Sequence, residues 1–299
     1  MIDPDSAYTI KALAFDGTEV VVDSGSCQGT VILISNFGWY GSCHGREYLN
    51  DIRLYVDGQE AAVQDGMHYQ GSWFRLVKES SLGGLAILQS EILVIENAIR
   101  EKATVTFLYA IPVAKFYPFL SSHNNAFTEV VGIESPDAVL QDGQTGLDDD
   151  SMFDLPGSDV IGQYDPNDSV GIATHFAITG MDDGSYPFIW DRPNDNKLYF
   201  RLVGSTNPVP IGAQFSSTTT RVLFRTTSVD WQDSVAIPLF GNPVRDGLVD
   251  LADFAEFEQC LQSPQTPATG VCTFWFDADD DQDVDLRDFA EMQRAISNQ

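Results

Sequence analysis

Residues 1–240 place apolar and polar side chains in short, often alternating runs, which is the pattern of half-buried β-strands. These runs are rich in β-branched and aromatic residues, and Asp-Gly or Gly-Gly pairs separate several of them. A helix is an alternative only for residues 95–102, which fit a turn between strands equally well. The predicted strands cover residues 7–15, 19–22, 29–35, 52–56, 73–78, 86–95, 103–111, 126–133, 170–179, 197–203, 219–227 and 234–239.

A dozen short strands within one segment of this length predict an all-β sandwich, either a jelly-roll or a larger two-sheet sandwich. We therefore assign residues 1–240 to a β-sandwich domain. One stretch departs from the pattern, because residues 141–168 combine eight aspartates with glycines and prolines. We expect a long surface loop there, with a further ion site as an open alternative.

The pattern changes at the C-terminus, where apolar residues recur at helical spacing in residues 289–296. Directly before them, carboxylates occupy positions 1, 3, 5, 7, 9 and 12 of a 12-residue loop, and the apolar Val284 occupies position 8. Hard oxygen donors at these positions are the ligands of a calcium loop, in which position 7 contributes its backbone carbonyl. The predicted ligands are Asp277, Asp279, Asp281, Asp283, Asp285 and Asp288.

A second copy of this pattern lies 35 residues earlier, and eight of sixteen positions are identical between residues 246–261 and 281–296. Its predicted ligands are Asn242, Asp246, Asp250 and Asp253. This site is degenerate, because Val244 at position 3 has no carboxylate. The second loop also departs from the pattern, since Gln282 stands where the turn favours glycine and so carries a small backbone strain.

Two calcium loops with exit helices and a shared Val-Asp-Leu-x-Asp-Phe-Ala core resemble a type I dockerin, closest to the variant of planctomycete-like bacteria. The resemblance covers residues 241–299, a second domain, and implies an EF-hand-type helical pair in which each loop keeps only its exit helix. It further implies two bound calcium ions, folding that depends on them, and docking to a cohesin-like protein or tethering in an extracellular assembly. Val244, Gln282 and the long segment 261–276 depart from the family pattern.

The charge of the chain limits its partners. The formal net charge is −28, which argues against nucleic acid or an anionic membrane surface as a partner. A medium containing salt or calcium would relieve this self-repulsion. No run of 18 apolar residues is present, so the sequence predicts no membrane span.

Four cysteines form two local pairs, Cys27 with Cys43 and Cys260 with Cys272, and none has the spacing of a zinc site. Two disulfides in an oxidising compartment are the better interpretation, which predicts a secreted or cell-surface bacterial protein. Met1-Ile-Asp-Pro lacks the basic and apolar regions of a signal peptide. We therefore expect either a signal peptide that has been removed or another route of export.

Catalytic chemistry in the sandwich is one hypothesis. A polysaccharide lyase needs a base and a group that neutralises a uronate, and a glycoside hydrolase needs two carboxylates across the sugar. Loops rich in glycine and asparagine supply such side chains. The predicted catalytic residues are His123, Asn124, Glu129, His44 and Arg46.

Two non-catalytic alternatives remain. Aromatic side chains would stack on sugar rings in a binding module if they are exposed. Alternatively, the chain is a structural subunit of a cell-surface or extracellular filament that assembles through the calcium module. By analogy with the domains that dockerins usually carry, the resemblance favours extracellular polysaccharide recognition or breakdown, with the structural subunit as the alternative. The aromatic residues of the binding hypothesis are Trp39, Tyr40, Tyr69, Trp73, Tyr117 and Trp190.

Overall fold

The structure, a computed structural model, divides the chain into two compact units, Met1–Trp231 and Gln232–Gln299. The predicted domain boundary, after residue 240, lies inside the second unit. The structure describes residues 7–12, 19–25, 31–34, 38–41, 47–63, 67–82, 84–95, 98–110, 115–123, 127–134, 138–144, 150–179, 186–192, 195–203, 209–235, 240–243, 249–261, 268–279 and 281–297.

The first unit is built of β-strands, as predicted. They are β1 (Ala7–Ala12), β2 (Glu19–Gly25), β3 (Val31–Ile34), β4 (Gly38–Gly41), β5 (Glu47–Val56), β6 (Gln59–Ala61), β7 (Met67–Gln70), β8 (Phe74–Leu82), β9 (Ala86–Ile95), β10 (Ala98–Phe107), β11 (Lys115–His123), β12 (Glu129–Glu134), β13 (Ala138–Gln144), β14 (Met152–Asp154), β15 (Val160–Asp165), β16 (Val170–Thr179), β17 (Tyr186–Arg192), β18 (Asp195–Val203) and β19 (Gln214–Arg225).

The strands of the described residues form three sheets. The largest has ten strands in the order β13-β12-β15-β16-β19-β10-β9-β8-β5-β6, and its neighbouring strands are antiparallel. A four-stranded sheet has the order β11-β18-β17-β14, and a five-stranded sheet has the order β4-β3-β1-β2-β7. The mainly β first domain is therefore confirmed, with one sheet larger than those of a jelly roll.

One face of the ten-stranded sheet, which we call the inner face, carries the core. Side chains on this face alternate with outward ones, so that Phe74 and Leu76 are each 1 % exposed while Arg75 between them is half-buried. Two sheets share one cluster, in which Val130 and Ile161 of the large sheet pack with Ile189 and others of the four-stranded sheet. The sheets are therefore layered face to face, as in a sandwich.

Three sequence predictions in this unit are corrected. Residues 141–168 are not one long loop, because they contain the end of β13 and the whole of β14 and β15. Strand β15 pairs on both sides, with β12 and β16, and its residues 160–165 are all buried. The helix considered for residues 95–102 is absent from their described part, because residue 95 ends β9 and residues 98–102 belong to β10. The strand predicted from residue 234 begins instead as a 3-10 helix, Trp231–Ser234.

The second unit is helical, with α1 (Leu251–Cys260), α2 (Gly270–Phe276) and α3 (Leu286–Ser297). Its core is aromatic. The ring of Phe257 lies 5.4 Å from that of Phe276 and 6.0 Å from that of Phe289, and Met292 is fully buried. Helix α2 was not predicted, so the second loop has an entry helix as well as an exit helix.

One of the two predicted disulfides is present, Cys260–Cys272, which joins the end of α1 to α2. Residues 27 and 43 lie outside the described residues. No helix in the described part of the chain is long and apolar enough to cross a membrane.

Candidate metal centre

The loop between α2 and α3 gathers the six predicted aspartates. Asp277, Asp279 and Asp281 form one group and Asp283, Asp285 and Asp288 another, and within each group the ligand atoms lie within 4.8 Å of one another. Carboxylates this close repel one another strongly unless a cation lies among them. An all-oxygen set without histidine or cysteine matches the preference of calcium.

The first residue of the loop shapes its turn. The carboxylate of Asp277 accepts hydrogen bonds from the backbone N–H groups of Asp281 and Gln282, at 3.1 Å each. Gln282 has a φ of 73°, the left-handed conformation that favours glycine. The strain predicted at position 6 from the sequence is thus present in the structure.

The last residue of the loop ties its two ends together. One carboxylate oxygen of Asp288 accepts from Ala278 N–H and the other from Asp285 N–H, both at 2.7 Å. Asp288 is only 1 % exposed, and this burial raises the pKa of its carboxyl above the ordinary value. The two backbone bonds oppose the pKa shift, whereas the negative charges of Asp279 and Asp285 add to it.

The aspartates of the loop differ in exposure. Asp277 and Asp283 are 6 % and 5 % exposed, whereas Asp279 and Asp281 are exposed. Val284 at position 8 is fully buried, which anchors the loop to the helical core. A buried wall of carboxylates with an open side fits a cation that enters from solvent. The donor set and the loop geometry therefore fit calcium.

The first loop shows the same closing geometry at its described end. Asp250 caps α1 by accepting from Ala252 N–H at 2.6 Å, and its own N–H donates to Asp253 at 3.0 Å. Asp285 and Asp288 make the equivalent contacts at the start of α3, at 2.7 Å each. Asn242 and Asp253 are fully buried, and Asp246 lies outside the described residues.

The predicted catalytic residues are not assembled into a site by the described part of the chain. Glu129 begins β12 and is half-buried, and its backbone pairs with Tyr164 and Gln144. His123 ends β11, but its side chain lies outside the description. Asn124, His44 and Arg46 also lie outside the described residues. Catalysis by these five residues stays a prediction.

Two of the predicted sugar-stacking residues have contrasting positions. Tyr69 is 7 % exposed and its hydroxyl donates to the carbonyl of Ala62 at 2.6 Å, so it belongs to the core and is unavailable for stacking. Trp190 is half-buried on β17, where its indole N–H donates to Asp150 at 2.9 Å. Trp73 is half-buried, and the side chains of Trp39, Tyr40 and Tyr117 lie outside the description.

The ring of Trp190 contacts one aromatic and one cationic side chain. The ring of Tyr199 lies 6.5 Å from it, and the guanidinium of Arg192 lies 4.8 Å over its ring. Tyr199 in turn stacks on Phe188 at 5.0 Å.

Comparison with known proteins leaves the family open. No protein-family profile and no curated protein matches the chain. Among solved structures, the Slr1438 protein of Synechocystis is 9 % identical and covers 75 % of this chain and 97 % of its own, at a TM-score of 0.39.

Two further structures are similar at the same level. A galactose mutarotase-like protein of Lactobacillus casei is 11 % identical over 65 % of this chain and 99 % of its own, at a TM-score of 0.36. An alpha-N-acetylgalactosaminidase of Bifidobacterium bifidum is 9 % identical over 83 % of this chain and 41 % of its own, at a TM-score of 0.39. Similarity this low does not place the chain in a family.

Proposed function

We propose that residues 241–299 form a dockerin-like calcium-binding module that holds the β-domain in an extracellular assembly, where the β-domain recognises or breaks down polysaccharide. The observation that carries the proposal is the second loop, in which six aspartates at ligand spacing surround a turn with a left-handed residue at position 6. Calcium would neutralise the clustered carboxylates and so stabilise the fold.

The proposed sites are unequal. In the second loop, Asp277, Asp279 and Asp281 would hold the ion from one side and Asp285 and Asp288 from the other, with Asp283 contributing its backbone carbonyl. In the first loop, Asn242, Asp246, Asp250 and Asp253 would hold a second ion more weakly, because Val244 contributes no side-chain ligand.

The proposed docking role rests on the resemblance to dockerins and on the repeat. Both described loop ends close in the same way, with a capping aspartate and a buried aspartate three residues later. The proposed partner is a cohesin-like protein or a neighbouring subunit. The Cys260–Cys272 disulfide supports an oxidising, extracellular location.

The proposed polysaccharide role of the β-domain is supported by the half-buried aromatic rings of Trp190 and Tyr199 with Arg192 beside them. A reaction on the polysaccharide would be carried out by the five catalytic residues predicted from the sequence. Incubation of the calcium-loaded chain with plant and algal polysaccharides tests this role, by retention on the polysaccharide, new reducing ends and absorbance near ~235 nm, where the unsaturated products of β-elimination absorb. Retention without product formation would indicate a binding module, and no interaction with any polysaccharide would contradict the role.

Calcium titration by calorimetry tests the module directly. We expect two binding events, of which Asp288→Asn weakens the tighter one and Asp253→Asn the weaker one. Each loss should be about tenfold or more, because each substitution removes a buried anionic ligand. Glu258→Gln is the matched control, since Glu258 is an exposed acid on α1 outside both loops and its loss should leave both events unchanged. Absence of any calcium binding by the wild type would refute the proposal.

A further inference from the structure

One end of the ten-stranded sheet carries an exposed apolar surface. Four large side chains there face solvent, with 45 % of Leu85, 38 % of Leu108, 59 % of Tyr109 and 70 % of Ile211 exposed. We call these four residues the apolar patch. Single exposed apolar residues are common on protein surfaces, whereas a contiguous group of them marks an interaction site.

Backbone hydrogen bonds bring the apolar patch together from three segments. In the turn between β8 and β9, the carbonyl of Leu85 accepts from the N–H of Leu108, just after the end of β10, at 2.9 Å. The segment before β19 joins the same place, because Gly212 N–H donates to the carbonyl of Phe107 at 2.8 Å and Phe107 N–H donates to that of Ala213 at 3.0 Å. The three segments therefore lie side by side at this end of the sheet.

The apolar patch adjoins a small hydrophobic core. The ring of Phe107, directly before the patch in β10, is buried and lies 5.7 Å from the ring of Phe215 in β19. This cluster ties the three segments to one another, so the patch has a fixed shape before a partner arrives. A preformed surface lowers the entropic cost of association. The cluster consists of Ala86, Val105 and Phe107, with Leu82, Leu88, Val209, Ala213 and Phe215 packed against them.

The segments that form the apolar patch lack charge. Residues 80–90, 103–114 and 202–220 contain no Asp, Glu, Lys or Arg, although 20 % of the chain is charged and its net charge is −28. Depletion of charged residues together with an exposed tyrosine is the composition of the core of a protein–protein interface. The partner is therefore recognised by apolar contact and not by ion pairs.

We infer that the apolar patch is the surface through which the β-domains of two copies of this chain associate, each patch packing on the same patch of the other copy. Such a two-fold contact is the commonest arrangement of identical chains. Two copies of net charge −28 repel each other, and a contact through this patch brings together no carboxylates from its three segments. A cationic partner would instead be drawn to the acidic parts of the surface.

The size of the apolar patch sets the strength of this association. Its exposed parts amount to on the order of 400 Å² per copy, if a whole large side chain contributes about 200 Å². A stable dimer buries about 800 Å² per partner, so we expect a weak dimer that forms at high protein concentration. The inference does not depend on the proposed calcium module. In the proposed assembly, this contact would give each chain a second point of attachment.

Sedimentation equilibrium of the full chain, in calcium and in EDTA, tests the inference over protein concentrations from about 1 to about 500 µM. The mass should rise from monomer towards dimer in both conditions, because the patch lies in the β-domain. Raising the salt concentration from about 20 to about 200 mM should strengthen the dimer severalfold, since salt screens the repulsion between two acidic copies. A dimer that weakens with salt would be held by ion pairs and would contradict the inference.

Ile211→Lys should weaken the dimer by about tenfold or more, even though it lowers the net charge, because the contact would bury an unpaired ammonium group. The matched control is Val229→Lys. Val229 is 91 % exposed and follows the other end of β19, so the same change in charge occurs away from the patch. This control should form a dimer at least as strong as that of the wild type, and equal weakening by both substitutions would overturn the inference.

Hydroxyl-radical footprinting of the wild-type protein, read by mass spectrometry, keeps the test independent of whether the variants fold. The four residues of the apolar patch should be oxidised in dilute protein and protected in concentrated protein. A monomer at every concentration, or a dimer in which these residues stay unprotected, would overturn the inference.

Two particular outcomes would also reassign the contact. A dimer that is lost in EDTA and leaves the patch unprotected would place self-association in the proposed calcium module, so the proposed function would stand without the patch. A monomer that binds vesicles of phosphatidylcholine would assign the patch to a lipid surface. Either result would overturn the inference.

Discussion

At the scale of single residues, Gln282 carries backbone strain at the turn of the proposed calcium loop. Position 6 of the loop takes a φ of 73°, although the side chain disfavours that conformation. The bond from its N–H to Asp277 holds the turn at this point. The residue thus stores a strain that the contacts of the loop offset.

We expect Gln282→Gly to raise the free energy of unfolding of the calcium-loaded chain by about 1 kcal/mol, because glycine adopts this conformation without steric cost. Denaturant titration followed by far-UV circular dichroism measures the change. Gln282→Ala is the control, since it removes the amide side chain but keeps the Cβ and so should not stabilise the protein. Equal effects of the two substitutions would assign the change to the side chain and not to the backbone.

Ligand burial predicts a ranking within the second loop. Asp288 is 1 % exposed and accepts two backbone hydrogen bonds, whereas Asp279 is exposed and pairs with the exposed Arg287 at 3.4 Å. Asp288→Asn should therefore weaken calcium binding more than Asp279→Asn, by about tenfold or more relative to it, because desolvated charges interact more strongly. Calorimetric titration of both variants checks the order, and a reversed order would contradict the assignment of Asp288 as the closing ligand.

At the scale of elements, helix α2 and the disulfide change the description of the second loop. The helix is capped by Thr269, whose hydroxyl accepts from Cys272 N–H at 3.4 Å, and it ends at Phe276 directly before the first ligand. The backbone N–H of Ala268, just before α2, donates to the carbonyl of Gln282 at 3.1 Å. The segment between the two repeats therefore adjoins the loop at its first residue and contacts it again at its central turn.

Replacing both Cys260 and Cys272 with serine should lower the free energy of unfolding of the C-terminal unit by about 3 kcal/mol, the chain-entropy value for a loop of this size. Denaturant titration with saturating calcium measures it. A further measurement adds dithiothreitol to the double variant. Any additional loss of stability then reports reduction of the predicted Cys27–Cys43 bridge. No change in the double variant would mean that the aromatic core alone holds α1 and α2 together.

At the scale of the whole molecule, the two units should respond differently to calcium. The first unit is built on sheets with apolar clusters, whereas the second is small and contains the aspartate groups. Small units have little core, so bound metal contributes a large share of their stability.

EDTA should therefore remove or lower the thermal transition of the C-terminal unit and leave that of the β-domain in place. Differential scanning calorimetry with and without EDTA measures both transitions. The Asp277→Asn, Asp288→Asn double variant is the control, since its profile in calcium should match that of the wild type in EDTA. An identical wild-type profile under both conditions would contradict calcium-linked folding.

Several features could be predicted from the sequence because they depend on local spacing. The alternation in residues 170–179 predicted β16 with its observed ends. The carboxylate spacing predicted the acidic loop, whose six aspartates lie in two groups of three. A short loop restricts where these side chains can lie, so residues that are close along the chain are also close in space. The positive φ at Gln282 follows from the same register.

Tertiary structure decided the rest. The acidic composition of residues 141–168 indicated a loop, yet β15 is buried because strands distant in sequence pair with it on both sides. Glu101 and Arg221 are 120 residues apart, and their pairing depends on the β10–β19 register. The sequence by itself determined the acidic loop that we propose as a calcium site, since its carboxylates are local. Which side chains share the inner face followed only from strand pairing, because long-range burial and register outweigh local preference.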